Sequence, residues 1–484
     1  MKKAKILSAR NFVSETLAGN VSVEAHTHKI LEEIAKANKK FHHFCAVDEK
    51  GALQRAKGLD KERKAGKAKG RLFGLPVSVK DCLCVKGLET RASSRILSGY
   101  VPTFDATCVA RAKAEGAIII GKTVQDEFGF GTFSVNVGEG FDVPKNPFDP
   151  ERSCGGSSGG SGGFTALTEF SHVSIGESTG GSIEAPASFN GVVGFCPTYG
   201  RVSRYGLLDY ANSLDKIGPM AKTVDDAALM LDCIAGHDEN DSTSLDAPAE
   251  NYSEAAGRGK AAKGLKVGLV KEFFGNGIDE KVKSVVMEGV ERLKENGAKV
   301  SEVSLPLNAE FGVSTYYLIA VSEASTNLAK YCGIRYGAQE SLEGGFDEYF
   351  SKVRSRHFGE EAKRRIILGT FARMSGYRDA YYLKAMKVRT KLIAEFKKSF
   401  GKFDALLCPT MPVVAPKFSE IEKLSPMQNY AMDLCTVPAN LAGIPHVSVN
   451  AGFSKGLPVG LMLMADHLQE KKLFSLAFAA EAGQ

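Results

Sequence analysis

The sequence predicts an α/β fold in which helices cover both faces of a β-sheet. Segments with helical spacing of apolar residues alternate with short β-branched runs from one end of the 484-residue chain to the other. This alternation is typical of a sheet buried between helices. The composition, 43% hydrophobic and 24% charged, is that of a globular protein. No repeat of fixed period interrupts the pattern.

The first part of the chain predicts two helices and two strands. Residues 22–37 place apolar side chains at helical spacing, which indicates a helix with one buried face. Residues 72–79 read as a turn and then a short buried strand that ends at Lys80. Residues 105–115 have a helical pattern, and residues 117–120 (AIII) read as a buried strand behind them.

Farther along, residues 223–235 predict a helix with defined ends. Thr223 is its N-cap, two aspartates follow in the first turn, and Gly236 lies just past its end. A helix over residues 280–296 then leads into a strand at residues 299–303.

These elements predict a single domain over residues 1–484, with a core around residues 70–235 and a peripheral helical lobe around residues 305–400. The polar residues 247–263 are the best candidate for a break and read as a surface insertion. Residues 352–402 hold fifteen Lys or Arg against four acids. We interpret them as helices with solvated basic faces. A face towards RNA or an acidic partner is the alternative, and no RNA-reading motif supports it.

Charge and cysteine content set broad limits on the function. The net charge of +6 is small for this length and excludes neither a nucleic-acid partner nor a neutral substrate. The ten cysteines form no C-x-x-C pair. The N-terminus lacks the apolar segment of a secretory signal, and no run approaches the roughly 18 apolar residues of a membrane span. A cytoplasmic protein without a membrane partner is expected.

Two short motifs point to functions that their surroundings oppose. Residues 116–123 match the phosphate-loop pattern G-x-x-x-x-G-K-[ST], but the Ile-rich interior predicts a strand, which cannot wrap an anion. Residues 176–180 match the G-x-S-x-G nucleophile elbow around Ser178, which needs an acid and a histidine downstream. The downstream histidines have no catalytic context, and His446 in a strand-like run reads as structural.

The strongest local signal is a pair of Gly/Ser-rich segments, residues 154–163 and 176–182, on either side of an apolar stretch. Glycine lets two loops approach closely and leaves backbone N–H groups unobstructed. The amides of Thr179, Gly180 and Gly181, directly before Ser182, would form an oxyanion hole, where one donor typically contributes ~3 kcal/mol. A buried lysine can serve as the base if it is neutral, and Lys80 ends a buried strand.

Three motifs in one order resemble the amidase signature family. Residues 74–81 read GLPVSVKD, residues 155–160 read GGSSGG, and residues 180–183 read GGSI. The similarity continues through GVVGFCPT at residues 191–198. It implies the family's fold, a large mixed β-sheet covered by helices on both faces.

The resemblance also implies the chemistry. Ser182 is expected to attack the amide carbonyl, Ser157 to pass protons, and Lys80 to act as the ultimate base and then as the general acid for leaving ammonia. The segment between the two serines is one residue longer than in the family pattern, which leaves Ser158 as an alternative bridge. Where that pattern has an aspartate and an arginine, this chain has Ser178 and Glu184.

Within the family, the chain is similar over nearly its whole length to the glutaminase (A) subunits of aspartyl/glutamyl-tRNA amidotransferases. By this resemblance, Tyr316, Arg365 and Asp433 hold free glutamine, with the arginine on its carboxylate and the aspartate on its ammonium group. Tyr317 and Arg364 are the near alternatives. The stretches that carry the similarity are residues 197–207, 213–219, 322–328, 364–370, 376–382 and 437–443.

The same resemblance implies a heteromeric complex. The chain would release ammonia from glutamine, and its B and C partner subunits would use the ammonia, with ATP and Mg²⁺, to amidate Glu-tRNA(Gln) or Asp-tRNA(Asn). The mischarged tRNA would be bound mainly by the partner, and this chain would need no cofactor or metal. A free-standing amidase acting on other carboxamides and an inactive scaffold subunit are the alternatives.

Overall fold

A single mixed β-sheet forms the centre of the computed structural model, which describes residues 8–248, 250–255, 262–275 and 277–481. Across the sheet the strands lie in the order β1-β3-β2-β4-β6-β5-β10-β11-β9-β7-β8. In chain order the eleven strands of these residues are β1 (Phe44–Val47), β2 (Pro76–Lys80), β3 (Ile118–Thr123), β4 (Val173–Ser178), β5 (Val193–Cys196), β6 (Lys216–Ala221), β7 (Lys266–Val270), β8 (Lys299–Val303), β9 (Ala405–Pro409), β10 (His446–Ser454) and β11 (Leu457–Ala465).

Parallel and antiparallel pairings alternate in blocks across this sheet. β2 is parallel to both β3 and β4, and β7 is parallel to both β8 and β9. The other neighbours pair antiparallel. Most strands are buried along their whole length, as expected for a sheet covered by helices. The predicted fold class is confirmed.

Helices fill most of the connections between strands. Those of the described residues are α1 (Ala9–Ala18), α2 (Val23–Phe41), α3 (Glu49–Lys64), α4 (Thr107–Ala114), α5 (Gly159–Leu167), α6 (Glu184–Asn190), α7 (Val224–Ile234), α8 (Glu280–Glu295), α9 (Pro306–Asn327), α10 (Phe346–His357), α11 (Glu360–Arg373), α12 (Lys384–Phe400), α13 (Phe418–Ile421), α14 (Pro426–Ala431), α15 (Val437–Ala442) and α16 (Glu470–Ala480).

Local sequence signals account for several element ends. The Thr223 hydroxyl accepts the amide of Asp226 and caps α7, as predicted. Ser22 caps α2 in the same way through the amide of Ala25, and α2 runs four residues past the predicted end. The strand predicted at residues 299–303 is β8.

β3 is longer than the predicted strand and runs through Lys122. The Lys122 ammonium group is fully buried and donates to the carbonyl of Leu83 at 2.7 Å and to the Thr90 hydroxyl at 3.0 Å. A lysine held in this way cannot reach a nucleotide, so the structure agrees with rejecting the phosphate-loop motif.

Helices α9 to α12 lie between β8 and β9, in the part of the chain where the sequence predicts a helical lobe. The suggested insertion at 247–263 falls partly outside the described residues. Along the described ranges, no helix is both long and apolar enough to cross a lipid bilayer.

Parallel pairing of β2 with β4 determines where the polar ends of these strands meet. Val77 pairs with Val173 and Val79 pairs with Ile175. Parallel strands place their carboxyl ends at the same edge of a sheet. Lys80, which ends β2, therefore lies beside the last residues of β4.

Candidate active site

Lys80 and Ser157 form the first contact of the site. The Lys80 Nζ lies 2.7 Å from the Ser157 Oγ, and both side chains are fully buried. Ser158 points elsewhere, since its hydroxyl donates to the carbonyl of Glu177 at 3.1 Å. The geometry favours Ser157 over Ser158 as the serine that works with the lysine.

Glu177, which the sequence reasoning did not single out, provides two further contacts to the lysine. Lys80 Nζ lies 2.8 Å from the Glu177 Oε2 and 2.9 Å from its main-chain carbonyl oxygen. The Glu177 side chain is only 3% exposed, so its carboxylate contacts the lysine away from solvent. No local sequence pattern signals this contact, because it depends on the parallel pairing of β2 with β4, which brings the ends of the two strands together.

Ser182 lies in the loop between β4 and α6 and is 6% exposed. Its amide donates to the Ser178 hydroxyl at 2.9 Å, and its carbonyl accepts the amide of Ser158 at 3.1 Å. The second bond ties the loop that carries Ser182 to the Gly/Ser segment that carries Ser157. Lys80, Ser157 and Ser182 are thus gathered at one edge of the sheet.

Gly180 and Gly181 precede Ser182 and line the same cavity as this serine. A Cβ at Gly180 would lie 2.5 Å from the Tyr316 ring, and one at Gly181 would lie 2.5 Å from the Thr436 hydroxyl. Only glycine fits at either position. In the described parts of the chain, neither glycine amide has a hydrogen-bond partner. These donors are available to an oxyanion formed at Ser182.

The cavity extends from Ser182 to the residues expected to hold an amino-acid head group. Tyr316, Tyr317, Arg365 and Asp433 all line it. It therefore joins the hydroxyl-bearing Ser182 at one end to a cation and a carboxylate at the other.

Asp433 is held by two hydroxyl donors. Tyr317 donates to it at 2.7 Å, and Thr132 donates at 2.9 Å. Burial raises the pKa of Asp433 to about 6, so its carboxylate is ionised at neutral pH. Of the two candidate tyrosines, Tyr317 contacts this carboxylate, whereas Tyr316 packs against Gly180.

Arg365 enters the cavity from α11 and is 3% exposed. Its guanidinium group donates to Glu361 at 2.8 Å and to the Tyr210 hydroxyl. Four aromatic rings surround it at 5.0–5.8 Å, an arrangement that stabilises a buried cation. The neighbouring Arg364 also pairs with Glu361, but its side chain is 45% exposed and lines an adjoining outer cavity. The geometry favours Arg365 for the inner site.

The altered pair Ser178 and Glu184 lies beneath the nucleophile loop. The Ser178 hydroxyl donates to the Glu184 Oε2 at 2.8 Å, and the other carboxylate oxygen contacts His446. Burial opposes ionisation of Glu184, but the charge and hydrogen bond of His446 outweigh burial and lower the pKa to about 2. The Ser178 hydroxyl contacts Glu184 and the Ser182 amide, and no histidine of the described ranges is hydrogen-bonded to it, as the nucleophile elbow would require.

One group within the described ranges has the residue types of a metal site. Ligand atoms of Glu184, Cys196 and His446 lie within 4.8 Å of one another, all fully buried. The Glu184 oxygens already accept donors from Ser178, His446, Asn440 and the Ile183 amide. The buried Lys216 adds a further positive charge that acts on Glu184. We therefore interpret this group as an ion-pair cluster that supports the loop.

Comparisons with known proteins identify the family of the chain. The Amidase family model matches residues 25–474. The A subunit of a glutamyl-tRNA(Gln) amidotransferase from Heliobacterium modesticaldum is 47% identical over 89% of this chain and 87% of its own length. The corresponding protein from a Cyanothece strain is 43% identical over 98% and 97%. The crystal structure of the A subunit from Thermotoga maritima is 36% identical, covers 98% of this chain and 95% of its own, and superimposes with a TM-score of 0.79. This chain belongs to the amidase family.

Proposed function

We propose that this chain is the glutaminase subunit of a tRNA-dependent amidotransferase and releases ammonia from glutamine. One observation carries the proposal: Ser182 shares a small cavity with Arg365 and Asp433. A simple amide has no α-carboxylate or α-ammonium group, whereas free glutamine has both. Charge-assisted hydrogen bonds to the two groups select a free amino acid.

The proposed reaction is acyl transfer through a serine ester. Ser182 Oγ attacks the side-chain carbonyl carbon of glutamine, its proton passes to Ser157, and the Ser157 proton passes to Lys80. The backbone amides of Gly180 and Gly181, with Thr179 before them, stabilise the oxyanion. Lys80 returns a proton through Ser157 to the leaving nitrogen, the C–N bond breaks, and ammonia departs. Water then attacks the ester by the same route and releases glutamate.

The head group of glutamine would occupy the far end of the cavity. Arg365 would pair with the α-carboxylate, and the ionised Asp433 would accept hydrogen bonds from the α-ammonium group. Tyr316 would close the wall between the head group and the oxyanion site because its ring packs against Gly180. Tyr317 would keep Asp433 in place through the bond at 2.7 Å.

Ammonia from this site would serve a larger assembly. The relatives' names describe them as the A subunits of glutamyl-tRNA(Gln) amidotransferases. By extension, B and C subunits would amidate Glu-tRNA(Gln), or Asp-tRNA(Asn), with this ammonia, ATP and Mg²⁺ in the cytoplasm. The tRNA would contact mainly the partner. The chemistry derived for this chain uses serine, lysine and backbone amides and calls for no cofactor.

The test is ammonia release by the chain purified together with its genomic neighbours. Ser182→Ala is expected to lower turnover of glutamine by about 10⁴-fold or more, because the ester can no longer form. Ser314→Ala, at an exposed serine of α9, is the matched control and should retain activity. Mass spectrometry should find a glutamine-analogue electrophile on Ser182.

Two outcomes would contradict the proposal. Faster turnover of simple aliphatic amides than of glutamine, with no stable partner, would identify a free-standing amidase. Unchanged ammonia release by Ser182→Ala would indicate another mechanism or an inactive scaffold.

A further inference from the structure

Glu177 is a charged group that contacts the catalytic lysine and that the three-residue mechanism does not use. Its side chain is 3% exposed and that of Lys80 is not exposed. The Lys80 Nζ has three oxygen neighbours: Ser157 Oγ at 2.7 Å, Glu177 Oε2 at 2.8 Å and the Glu177 carbonyl oxygen at 2.9 Å. Two of the three contacts to the base therefore come from one residue.

These contacts orient the amine. A neutral lysine has two N–H donors and one lone pair, whereas a carbonyl oxygen and an ionised carboxylate oxygen can only accept. With both N–H groups directed at Glu177, the lone pair faces the Ser157 hydroxyl, as a general base requires. We propose that Glu177 is a positioning residue that aims the lone pair of Lys80 at Ser157 and stabilises the ammonium ion formed when Lys80 takes the proton.

The second carboxylate oxygen of Glu177 is held through Thr179 and Asp215. The Thr179 hydroxyl lies 2.8 Å from the Glu177 Oε1 and 2.8 Å from the Asp215 Oδ1, although it has only one proton to donate. Burial and the charge of Glu177 raise the pKa of Asp215 well above its ordinary value. The amides of Tyr210 and Ala211 also donate to Asp215. Thr179 thus links Glu177 to a carboxyl group that the backbone holds in place.

The proton balance of the reaction does not change. The proton of Ser182 moves to Ser157 and that of Ser157 to Lys80, while the Ser182 Oγ–carbon bond forms and the carbonyl π electrons move to oxygen. Glu177 remains an anion throughout and neutralises the new ammonium ion, as the orienting carboxylate does in serine–histidine–aspartate enzymes. The proposal rests on the proposed amide-hydrolysing function of Ser182.

The test is Glu177→Gln, which keeps the size of the side chain and removes its charge. Because Glu177 does not line the substrate cavity, kcat for glutamine should fall about 100-fold while KM changes little. The acid limb of the pH–rate profile should move to lower pH, since the ammonium ion loses its counter-charge. The other titratable groups around this pair are Asp215, Asp126, Cys82 and Cys196. Glu127→Gln, at another buried glutamate, is the matched control.

A second readout separates this proposal from the identity of the substrate. The rate at which a fluorophosphonate labels Ser182 depends on the base but not on glutamine binding, and it should fall in Glu177→Gln. A wild-type chain that labels readily but does not hydrolyse glutamine would overturn the proposed substrate and leave this inference standing. An unchanged labelling rate and pH profile in Glu177→Gln would overturn the inference.

Glu177→Asp covers the case in which the charge-neutral variant fails to fold. Its side chain is one methylene shorter, so the carboxylate stays charged but lies farther from Lys80, and the lone pair of Lys80 is aimed less well. A kcat between those of wild type and Glu177→Gln, with thermal unfolding near wild type, supports the positioning role. Wild-type kcat in Glu177→Asp would contradict it.

Discussion

At the scale of single residues, Glu184 shows how the chain supports an altered nucleophile loop. Ser178 and His446 contact its two oxygens, and Ser178 in turn accepts the amide of Ser182. The second nitrogen of His446 faces the carbonyl of Ile444 at 2.9 Å. Burial lowers the pKa of His446, and the charge of Glu184 opposes that shift. A carboxylate held by an imidazole and a serine hydroxyl here replaces the aspartate and arginine of the family pattern.

The ionised Glu184 carboxylate leads to a prediction about stability. The lowered pKa of Glu184, about 2, means that its ionised form stabilises the fold above about pH 4.5. That contribution, on the order of 3 kcal/mol, is lost as the pH falls from about 4.5 towards 2. Glu184→Gln should lower the free energy of unfolding at pH 7 by about 1–3 kcal/mol, because it weakens the buried hydrogen bonds that the carboxylate makes with Ser178 and His446. Urea unfolding measures this change.

The double variant Glu184→Gln, His446→Gln supplies the control. Two glutamine side chains can hydrogen-bond to each other, so the loss of stability in the double variant should be smaller than the sum of the losses in the two single variants. If the loss of stability in the double variant equalled the sum of the losses in the two single variants, Glu184 and His446 would not interact.

At the scale of elements, the turn after β4 depends on two glycines that leave no room for a side chain. Gly180→Ala would place a Cβ 2.5–2.8 Å from three atoms of the Tyr316 ring. Either Tyr316 or the nucleophile loop must move, and a displacement near 1 Å costs about 100-fold in turnover. We expect kcat for glutamine to fall by about this factor, measured by ammonia release.

The control is Gly345→Ala, where no atom lies within 4 Å of the added Cβ and the backbone φ is −83°. This variant should keep wild-type turnover. Equal activity of the Gly180 and Gly345 variants would show that the nucleophile loop tolerates a side chain.

Elements with strong local signals could be predicted from the sequence, and contacts between distant elements could not. The cap of α7 at Thr223 and the end of β2 at Lys80 follow from nearby residues. The contact of Lys80 with Glu177 spans 97 residues and depends on parallel strand pairing. That of Glu184 with His446 spans 262 residues. No local pattern in one sequence encodes either separation.

At the scale of the whole molecule, the basic stretch at residues 352–402 divides into two kinds of side chain. Several arginines belong to the interior of the fold. Arg354 donates to the carbonyls of Leu328 and Tyr331, Arg389 donates to Leu441 and Ser213, and Arg365 lines the candidate site. The local surplus of positive charge is thus partly structural. The exposed charges of this stretch include five lysines of α12 and four arginines outside it.

Three of these lysines, Lys384, Lys387 and Lys391, recur at helical spacing on the exposed side of α12. A row of this kind is typically a solvated face. We expect replacement of all three by Gln to leave the KM for mischarged tRNA within about twofold in the assembled complex at about 150 mM salt. If the three lysines contacted three phosphates, their replacement would instead weaken binding and lower the salt dependence by almost three counterions. A tenfold higher KM with a shallower salt dependence would therefore identify α12 as a tRNA contact, whereas unchanged values would show that these three lysines do not contact tRNA.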